Sequence, residues 1–125
     1  MINASEILMG REKEYPLTKD MEYNLLGLIH KVNMLLMEYP NEVKVSSGYR
    51  PGKYNVNAKG AKNSPHLTCE AVDFADKDGE FAKWCILNVS LLSKLGLYME
   101  EPAHTKGWVH LQIRPVKSGR IIFKP

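Results

Sequence analysis

The sequence lacks the features that define several specialised classes of protein. No run approaches the ~20 consecutive apolar residues of a membrane-spanning helix, so we expect no membrane segment. Its two cysteines, Cys69 and Cys85, form no C-x-x-C pair and are too few for a disulfide scaffold, which predicts reduced thiols. The opening residues lack a basic segment followed by a long apolar one. No secretory signal is therefore visible, and we expect synthesis in the cytoplasm.

The charge balance excludes further classes. Lys and Arg total 17 against 14 for Asp and Glu, a formal net charge of +3. The lysine-rich stretch between residues 53 and 62 forms no basic face with a stacking pattern, so we predict no nucleic-acid partner. Hydrophobic residues at 44% and charged residues at 25% are close to the globular average and exclude a disordered chain. The length of 125 residues supports one domain, 1–125, which we expect to be a monomer.

Hydrophobic spacing predicts two helices. Between residues 21 and 39 the apolar residues recur at steps of three and four, which is typical of one face of an amphipathic helix. Thr18 is a suitable N-cap for this helix, and Pro40 is predicted to end it. A second helix is predicted to open at Gly79 and to reach its C-terminal cap at Gly96.

Short alternating runs predict a small sheet. The predicted strands cover residues 43–47, 71–75, 97–99, 108–113 and 121–123. The segment from Tyr49 to Thr68 has no convincing period, and such long irregular segments are more often functional than idle. The polar N-terminal segment to Pro16 is expected to be held loosely in part. The predicted fold class is α+β, with two helices packed on a small, mostly antiparallel sheet.

Two polar residues stand where core strands are expected to be apolar. Asp73 and His110 each lie between two apolar residues of a predicted strand, and a buried carboxylate is costly unless it is paired or bound to a metal. His66 precedes the strand of Asp73, and a turn between them would bring the two side chains together. Two imidazoles and one carboxylate with an open fourth position are the ligand set expected of catalytic zinc.

Each of these residues also has an ordinary interpretation. A single histidine on a half-buried strand is more often a hydrogen-bonded core residue than a ligand, and a single aspartate near a turn usually acts as a cap. The H-x6-D spacing between His66 and Asp73 is short and arises easily by chance. The hypothesis of a metal site therefore depends on the motifs around these residues.

Three motifs in order supply that context. They are S-G-Y-R at residues 47–50, S-P-H-L-T-C-E-A-V-D at residues 64–73 and W-V-H at residues 108–110. Together they resemble the zinc peptidases of the M15 family, and more narrowly the small branch related to D-alanyl-D-alanine carboxypeptidases that is common in phages and bacteria. The resemblance runs from about residue 45 to residue 112. It implies a hedgehog/D-Ala-D-Ala peptidase-like fold and a hydrolase that acts on the cell wall.

The resemblance implies a role for each matching residue. His66, Asp73 and His110 fall on the family's zinc-ligand positions. Arg50 falls on the arginine that faces the substrate, and its planar guanidinium suits a carboxylate or a polarised carbonyl oxygen. The alternative for Arg50 is an ordinary surface arginine in a turn.

Three further residues are predicted to contribute to substrate binding. Ser64 matches a serine that contacts the substrate or the ligand loop, although a simple turn hydroxyl is an equal alternative. Trp108 is predicted to wall the cleft, with a buried core tryptophan as the alternative. Gln112 shares a strand face with His110 and is predicted to support that ligand.

The sequence departs from the family pattern at two positions. Cys69 replaces a glycine, so the turn is expected to differ or the thiol to approach the metal, with ligation by Cys69 as an alternative. Gly107 occupies the position of the glutamate that acts as general base in carboxypeptidase members, and glycine performs no proton chemistry. Of the nearby candidates His104, Glu100 and Glu101, we predict His104 as the base first and Glu101 second.

The sequence therefore predicts a zinc-dependent peptidase that hydrolyses the peptide stems of peptidoglycan. The sequence does not decide between a D-Ala–D-Ala carboxypeptidase and an L-Ala–D-Glu type endopeptidase. The alternatives are a catalytically impaired, metal-stabilised cell-wall-binding module and a virion structural protein of the same fold. Zinc is the expected cofactor, although such a ligand set also holds other divalent metals. Without a visible signal, we expect a phage-encoded protein that reaches the cell wall after release or as part of the virion.

Overall fold

The chain forms five α-helices and five β-strands, and its last three strands follow one another without an α-helix between them. The computed structural model describes residues 1–125 without a gap. The helices are α1 (Ala4–Leu8), α2 (Lys19–Leu36), α3 (Lys53–Asn57), α4 (Glu80–Leu87) and α5 (Val89–Leu95). The strands are β1 (Lys44–Ser47), β2 (Ala71–Ala75), β3 (Tyr98–Glu100), β4 (Trp108–Gln112) and β5 (Ile122–Phe123). Short 3-10 helices cover Arg11–Lys13, Pro65–Thr68 and Pro102–His104. None of the helices combines the length and the apolar character needed to cross a membrane.

The strands form one sheet in the order β1-β2-β4-β3-β5. All neighbouring pairs are antiparallel except β3 and β5, which are parallel. Ser47 pairs with Asp73, and Asp73 pairs with His110. Because directly paired residues point to the same face of a sheet, Asp73 and His110 lie side by side. The predicted α+β class with a mostly antiparallel sheet is confirmed.

The opposite face of the sheet carries the hydrophobic core. Its inward residues on the three central strands are at most 1% exposed: Val72, Phe74, Met99, Val109 and Leu111. Helix α2 covers this face with residues at three- and four-residue steps: Leu25, Leu28, Val32 and Leu35. Each such buried side chain contributes about 1.5–3 kcal/mol of transfer free energy. The core therefore holds β2 and β4 from behind and leaves the face of Asp73 and His110 for the site.

Helix α2 begins as predicted and ends earlier. The Thr18 hydroxyl accepts a hydrogen bond from the Met21 backbone N–H at 3.2 Å, which satisfies one of the free donors of the first turn. The helix ends at Leu36, before Pro40. Proline disfavours the helical conformation of the residue before it, so the helix has to end upstream of it.

The predicted second helix is two helices. It is interrupted at Asn88, whose backbone leaves the helical region (φ −114°, ψ 33°) between α4 and α5. The Asn88 side-chain amide donates to the carbonyl of Trp84 at 2.9 Å. Asparagine competes in this way with the helical hydrogen bonds of the main chain. Gly96 closes α5 in the left-handed region, as predicted.

The N-terminal segment is better held than the sequence predicted. Ile2, Ile7 and Leu8 are buried, although the residues around them are polar. Asn33 of α2 binds the backbone of Ile2 in both directions, accepting from its N–H at 2.8 Å and donating to its carbonyl at 2.9 Å. The Ile7 carbonyl accepts from the backbone N–H of Tyr49 at 2.8 Å. These buried side chains and hydrogen bonds fix the segment against α2 and against the backbone at Tyr49.

Candidate metal centre

Three elements bring the predicted ligands together. Asp73 on β2 and His110 on β4 are paired residues, and both face away from the core. His66 belongs to the 3-10 helix Pro65–Thr68, and its backbone N–H is capped by the Ser64 hydroxyl. The chain then turns through Cys69 and enters β2, which returns it to the side of His66. The turn expected between His66 and Asp73 is therefore present.

The donor atoms of the three residues converge in a buried position. Asp73 Oδ1 lies 2.8 Å from His110 Nδ1 and 3.2 Å from His66 Nε2. The ligand atoms of the three residues all lie within 4.8 Å of one another, and each residue is at most 5% exposed. His66 Nε2 is buried and has no hydrogen-bond partner within the protein. Such an orphaned nitrogen beside a carboxylate is costly unless a proton, a water molecule or a metal ion satisfies it.

The outer nitrogen of each histidine is fixed by an acceptor. His66 Nδ1 donates to the carbonyl of Gly48 at 2.8 Å. His110 Nε2 donates to Gln112 Oε1 at 2.7 Å, while Gln112 Nε2 donates to the carbonyl of Arg114 at 2.7 Å and so fixes the orientation of the amide. In the neutral rings, the inner nitrogens are therefore unprotonated. Metal-bound histidines are held in this way by an acceptor on their outer N–H.

With both rings neutral, the inner atoms of the site are therefore all acceptors. Two unprotonated ring nitrogens, on His66 and His110, face one carboxylate oxygen of Asp73, and no protein donor separates them. A proton on one ring or a metal ion between the three would satisfy them. Two imidazoles and a carboxylate suit first-row divalent ions such as zinc. The residues present therefore fit a divalent metal site.

The electrostatics of the site favour a cation. Burial raises the pKa of Asp73, but the hydrogen bond from His110, the close contact with His66 Nε2 and the charges on both rings outweigh it and hold that pKa at about 2. Burial lowers the pKa of His110, but its hydrogen bond with Asp73 and the charge of that carboxylate outweigh it and raise the pKa above its ordinary value. Without a metal, Asp73 thus stays anionic and draws a proton onto His110.

Arg50 lies at the edge of this cluster. Its Nη1 is 4.0 Å from Asp73 Oδ2, and its side chain is 16% exposed. Burial lowers the pKa of Arg50, and the charge of Asp73 opposes this effect. The Nε atom of Arg50 is buried without a hydrogen-bond partner within the protein. The guanidinium therefore keeps donors free for a group that enters the cavity.

A cavity of about 480 Å³ opens above the three residues. All the predicted ligands and substrate-binding residues line it: Arg50, Ser64, His66, Asp73, Trp108, His110 and Gln112. Trp108 is half-buried at its wall. A larger surface depression of about 710 Å³ around Tyr39 and Trp84 contains none of these residues. The chemistry of the protein is therefore placed in the smaller cavity.

Two of these residues have a local structural contact as well. Ser64 is 4% exposed, and its hydroxyl accepts from the backbone N–H of His66 at 3.1 Å, so it caps the turn that holds the ligand. Gln112 makes the hydrogen bond to His110 described above, as the shared strand face predicted. Their contact with substrate stays a prediction.

Cys69 adopts the left-handed conformation that the family's glycine would adopt, with φ 60° and ψ 30°. Its side chain is fully buried among core residues and is not part of the converging cluster. Burial, with a smaller contribution from the charge of Glu70, raises the pKa of its thiol to about 12. A protonated thiol is a poor metal ligand, so the structure does not support ligation by Cys69.

The predicted general bases lie outside the cavity lining. His104 is on the 3-10 helix Pro102–His104 with 46% of its side chain exposed, and its Nε2 lies 4.0 Å from Glu101 Oε1. Neither residue lines the cavity. Gly107 does not line this cavity either; it lines a separate depression beside α4. The base role of His104 and Glu101 therefore stays a prediction without support from the geometry.

Glu100 is the carboxylate that sequence reasoning passed over. It lines the cavity, and its side chain makes no hydrogen bond or ion pair within the protein. In the pairing of β3 with β4, Tyr98 is opposite Gln112 and Met99 is opposite Leu111, so Glu100 continues the register beside His110. The predicted strand at residues 97–99 ends one residue before Glu100, so sequence reasoning did not place this carboxylate on the sheet.

A small mixed sheet with a buried His–Asp–His cluster at the floor of an open cavity defines a candidate metal-binding protein. The family model described as Peptidase M15 matches residues 4–112. The chain belongs to the M15 peptidase family, which confirms the predicted resemblance. Membership of this metal-dependent family, together with the cluster, suggests a metallopeptidase. No curated protein and no solved structure matches the chain.

Proposed function

We propose that this protein is a zinc-dependent peptidase that hydrolyses amide bonds in the peptide stems of peptidoglycan. The observation that carries the proposal is the set of inner acceptor atoms on His66, Asp73 and His110, with both outer ring nitrogens already bonded to carbonyl oxygens. When bound there, zinc would supply a Lewis acid that polarises a carbonyl oxygen and lowers the pKa of a water molecule towards ~7. The residues of this chain would do the rest.

Arg50 is proposed to hold the substrate. Its guanidinium is near Asp73 and has unused donors at the cavity wall. A planar donor pair binds a carboxylate in two places, and peptidoglycan stems carry free carboxylates. In the same position Arg50 would also stabilise negative charge that develops on the carbonyl oxygen of the scissile amide. Trp108 forms the wall against which the stem peptide lies.

Glu100 is proposed to accept the proton from the attacking water. It reaches the cavity from β3 and is adjacent in register to His110. Its charge acts on the site, because it adds to the larger influence of Asp73 in raising the pKa of His110. A carboxylate without an internal partner is free to take a proton at Oε1 or Oε2 and to pass it to the leaving amine.

Digestion of purified peptidoglycan tests the proposal. The protein with one zinc per chain is expected to release products that mass spectrometry identifies as free D-alanine or as peptides cut after L-alanine. His110→Ala removes one ligand and serves as the inactive background. Zinc-loaded protein that releases no product above that background would contradict the enzymatic proposal.

Gly107 favours a second candidate, a metal-stabilised module that binds the cell wall without cutting it. Gly107 stands where carboxypeptidase members carry their base, and no titratable residue takes that place in the chain. Sedimentation with insoluble peptidoglycan separates the two. A binding module is retained on intact peptidoglycan in the presence of zinc and leaves its composition unchanged.

A further inference from the structure

Arg114 connects the two segments that carry the histidine ligands. It lies just beyond the end of β4, with its side chain 26% exposed. It donates from Nε and Nη2 to Glu70 Oε1 at 3.1 and 2.9 Å, from Nη2 to Thr68 Oγ1 at 3.0 Å and from Nη1 to the carbonyl of Asn63 at 2.7 Å. All three acceptors belong to the segment around His66. One side chain thus joins that segment at three points.

The main chain of Arg114 serves the other histidine. Its carbonyl accepts from Gln112 Nε2 at 2.7 Å, and this bond orients the Gln112 oxygen that accepts from His110 Nε2. The backbone of the neighbouring Ile113 donates to the carbonyl of Glu70 at 2.9 Å. Both histidines are therefore held through residues at or next to position 114.

We propose that Arg114 is a positioning residue that sets the spacing of His66 and His110 for the metal. The proposal rests on the metal site of the proposed function but not on peptide hydrolysis. The matched family segment ends at residue 112, so this contact is supplied by the part of the chain beyond the match. Without the guanidinium, the segment around His66 would lose its side-chain contacts with the chain beyond β4 and would keep the bond from the backbone of Ile113 and the pairing of β2 with β4.

The shape of the arginine side chain is essential to this role. Four hydrogen bonds leave one planar group in different directions, towards a carboxylate, a hydroxyl and a carbonyl. A lysine carries the same charge, but its three N–H donors share one nitrogen atom, so it cannot span these acceptors together. Arg114→Lys should therefore fail to restore the metal site even where it restores the ion pair with Glu70.

Zinc affinity of the metal-free protein is the direct test, measured by competition with a chromophoric chelator. Arg114→Ala and Arg114→Lys are each expected to weaken zinc binding by about 10–100-fold, the range found when the outer partners of metal ligands are removed. Arg120→Ala is the matched control, since Arg120 is exposed and its side chain makes no hydrogen bond or ion pair. It should bind zinc as the wild type does.

A second readout separates positioning from simple stabilisation. The visible absorption bands of Co²⁺ bound in place of zinc report the ligand geometry, and they should change in both Arg114 variants. If Arg114→Ala does not fold, Glu70→Gln keeps the side-chain shape and weakens the same contact. Zinc affinity within about threefold of wild type in the folded variants, with an unchanged Co²⁺ spectrum, would overturn the proposal. That result would leave the proposed peptidase untouched, since hydrolysis is measured separately.

Discussion

The metal-free protein should lose stability at both acid and alkaline pH because of one buried cluster. Asp73 accounts for the loss of stability at acid pH. Its pKa falls from an ordinary value of 3.8 to about 2 in the fold, because its hydrogen bond with His110 and its contact with His66 outweigh the effect of burial. A pKa that differs by one between the folded and the unfolded state corresponds to about 1.4 kcal/mol, so Asp73 contributes about 2 kcal/mol of folding free energy. A lowered pKa gives stability that is present above pH ~4 and is lost as the pH falls towards 2.

His110 accounts for the loss of stability at alkaline pH. Its pKa is raised in the fold, so its contribution is complete below the ordinary value of 6.5 and is lost as the pH rises through the folded value. The metal-free protein should therefore be most stable between pH ~4 and ~6.5. Zinc bound at the cluster would take the place of the proton, so its affinity should rise with pH where the metal-free protein weakens.

Urea unfolding in EDTA at several pH values measures this effect, with Asp73→Asn as the comparison. Other carboxylates titrate in both proteins, so the difference between the two isolates Asp73. The free energy of unfolding of the wild type should fall by about 2 kcal/mol more than that of Asp73→Asn between pH 5 and pH 2. An equal fall in the two proteins would show that the cluster does not hold Asp73 ionised.

Other predictions follow from single contacts. Glu100→Gln should lower kcat by 10²–10⁴-fold with zinc affinity unchanged, whereas His104→Gln should change neither; the reverse ranking in hydrolysis assays would return the base role to His104. Cys69→Gly should be more stable than Cys69→Ala by about 1 kcal/mol in thermal unfolding, because only glycine relieves the positive φ of 60°. Gly48→Ala should destabilise the protein by more than 2 kcal/mol, because its Cβ would lie 2.3 Å from the carbonyl oxygen of Ile7; unchanged unfolding would show that α1 yields without cost.

Much of the fold was predictable from local patterns. Helix α2 has a polar cap and a regular apolar stripe, and β2 has the composition of a buried strand with one misplaced carboxylate. The three converging residues were predicted because Asp73 and His110 are exceptions to the apolar pattern of their strands and because the motifs around them resemble the M15 family. Such exceptions stand out even in a single sequence.

The parts that were missed depend on contacts distant in sequence. The N-terminal segment looked polar, but Ile7 and Asn33 fix it through one buried side chain and one pair of hydrogen bonds. Arg114 is 44 residues from Glu70, and no local pattern indicates that pair. Glu100 appeared as one of several charged residues in a short stretch, and only the pairing of β3 with β4 brings it to the cavity. Sequence periodicity gives the faces of strands but not their neighbours.

Titration of zinc into the metal-free protein, with cleavage of a peptidoglycan stem peptide as the signal, tests whether the cluster of His66, Asp73 and His110 is a zinc-dependent catalytic centre. The rate should rise in proportion to zinc and stop rising at one zinc per chain, and His110→Ala should show no rise. Zinc that binds at one per chain without any cleavage would contradict it.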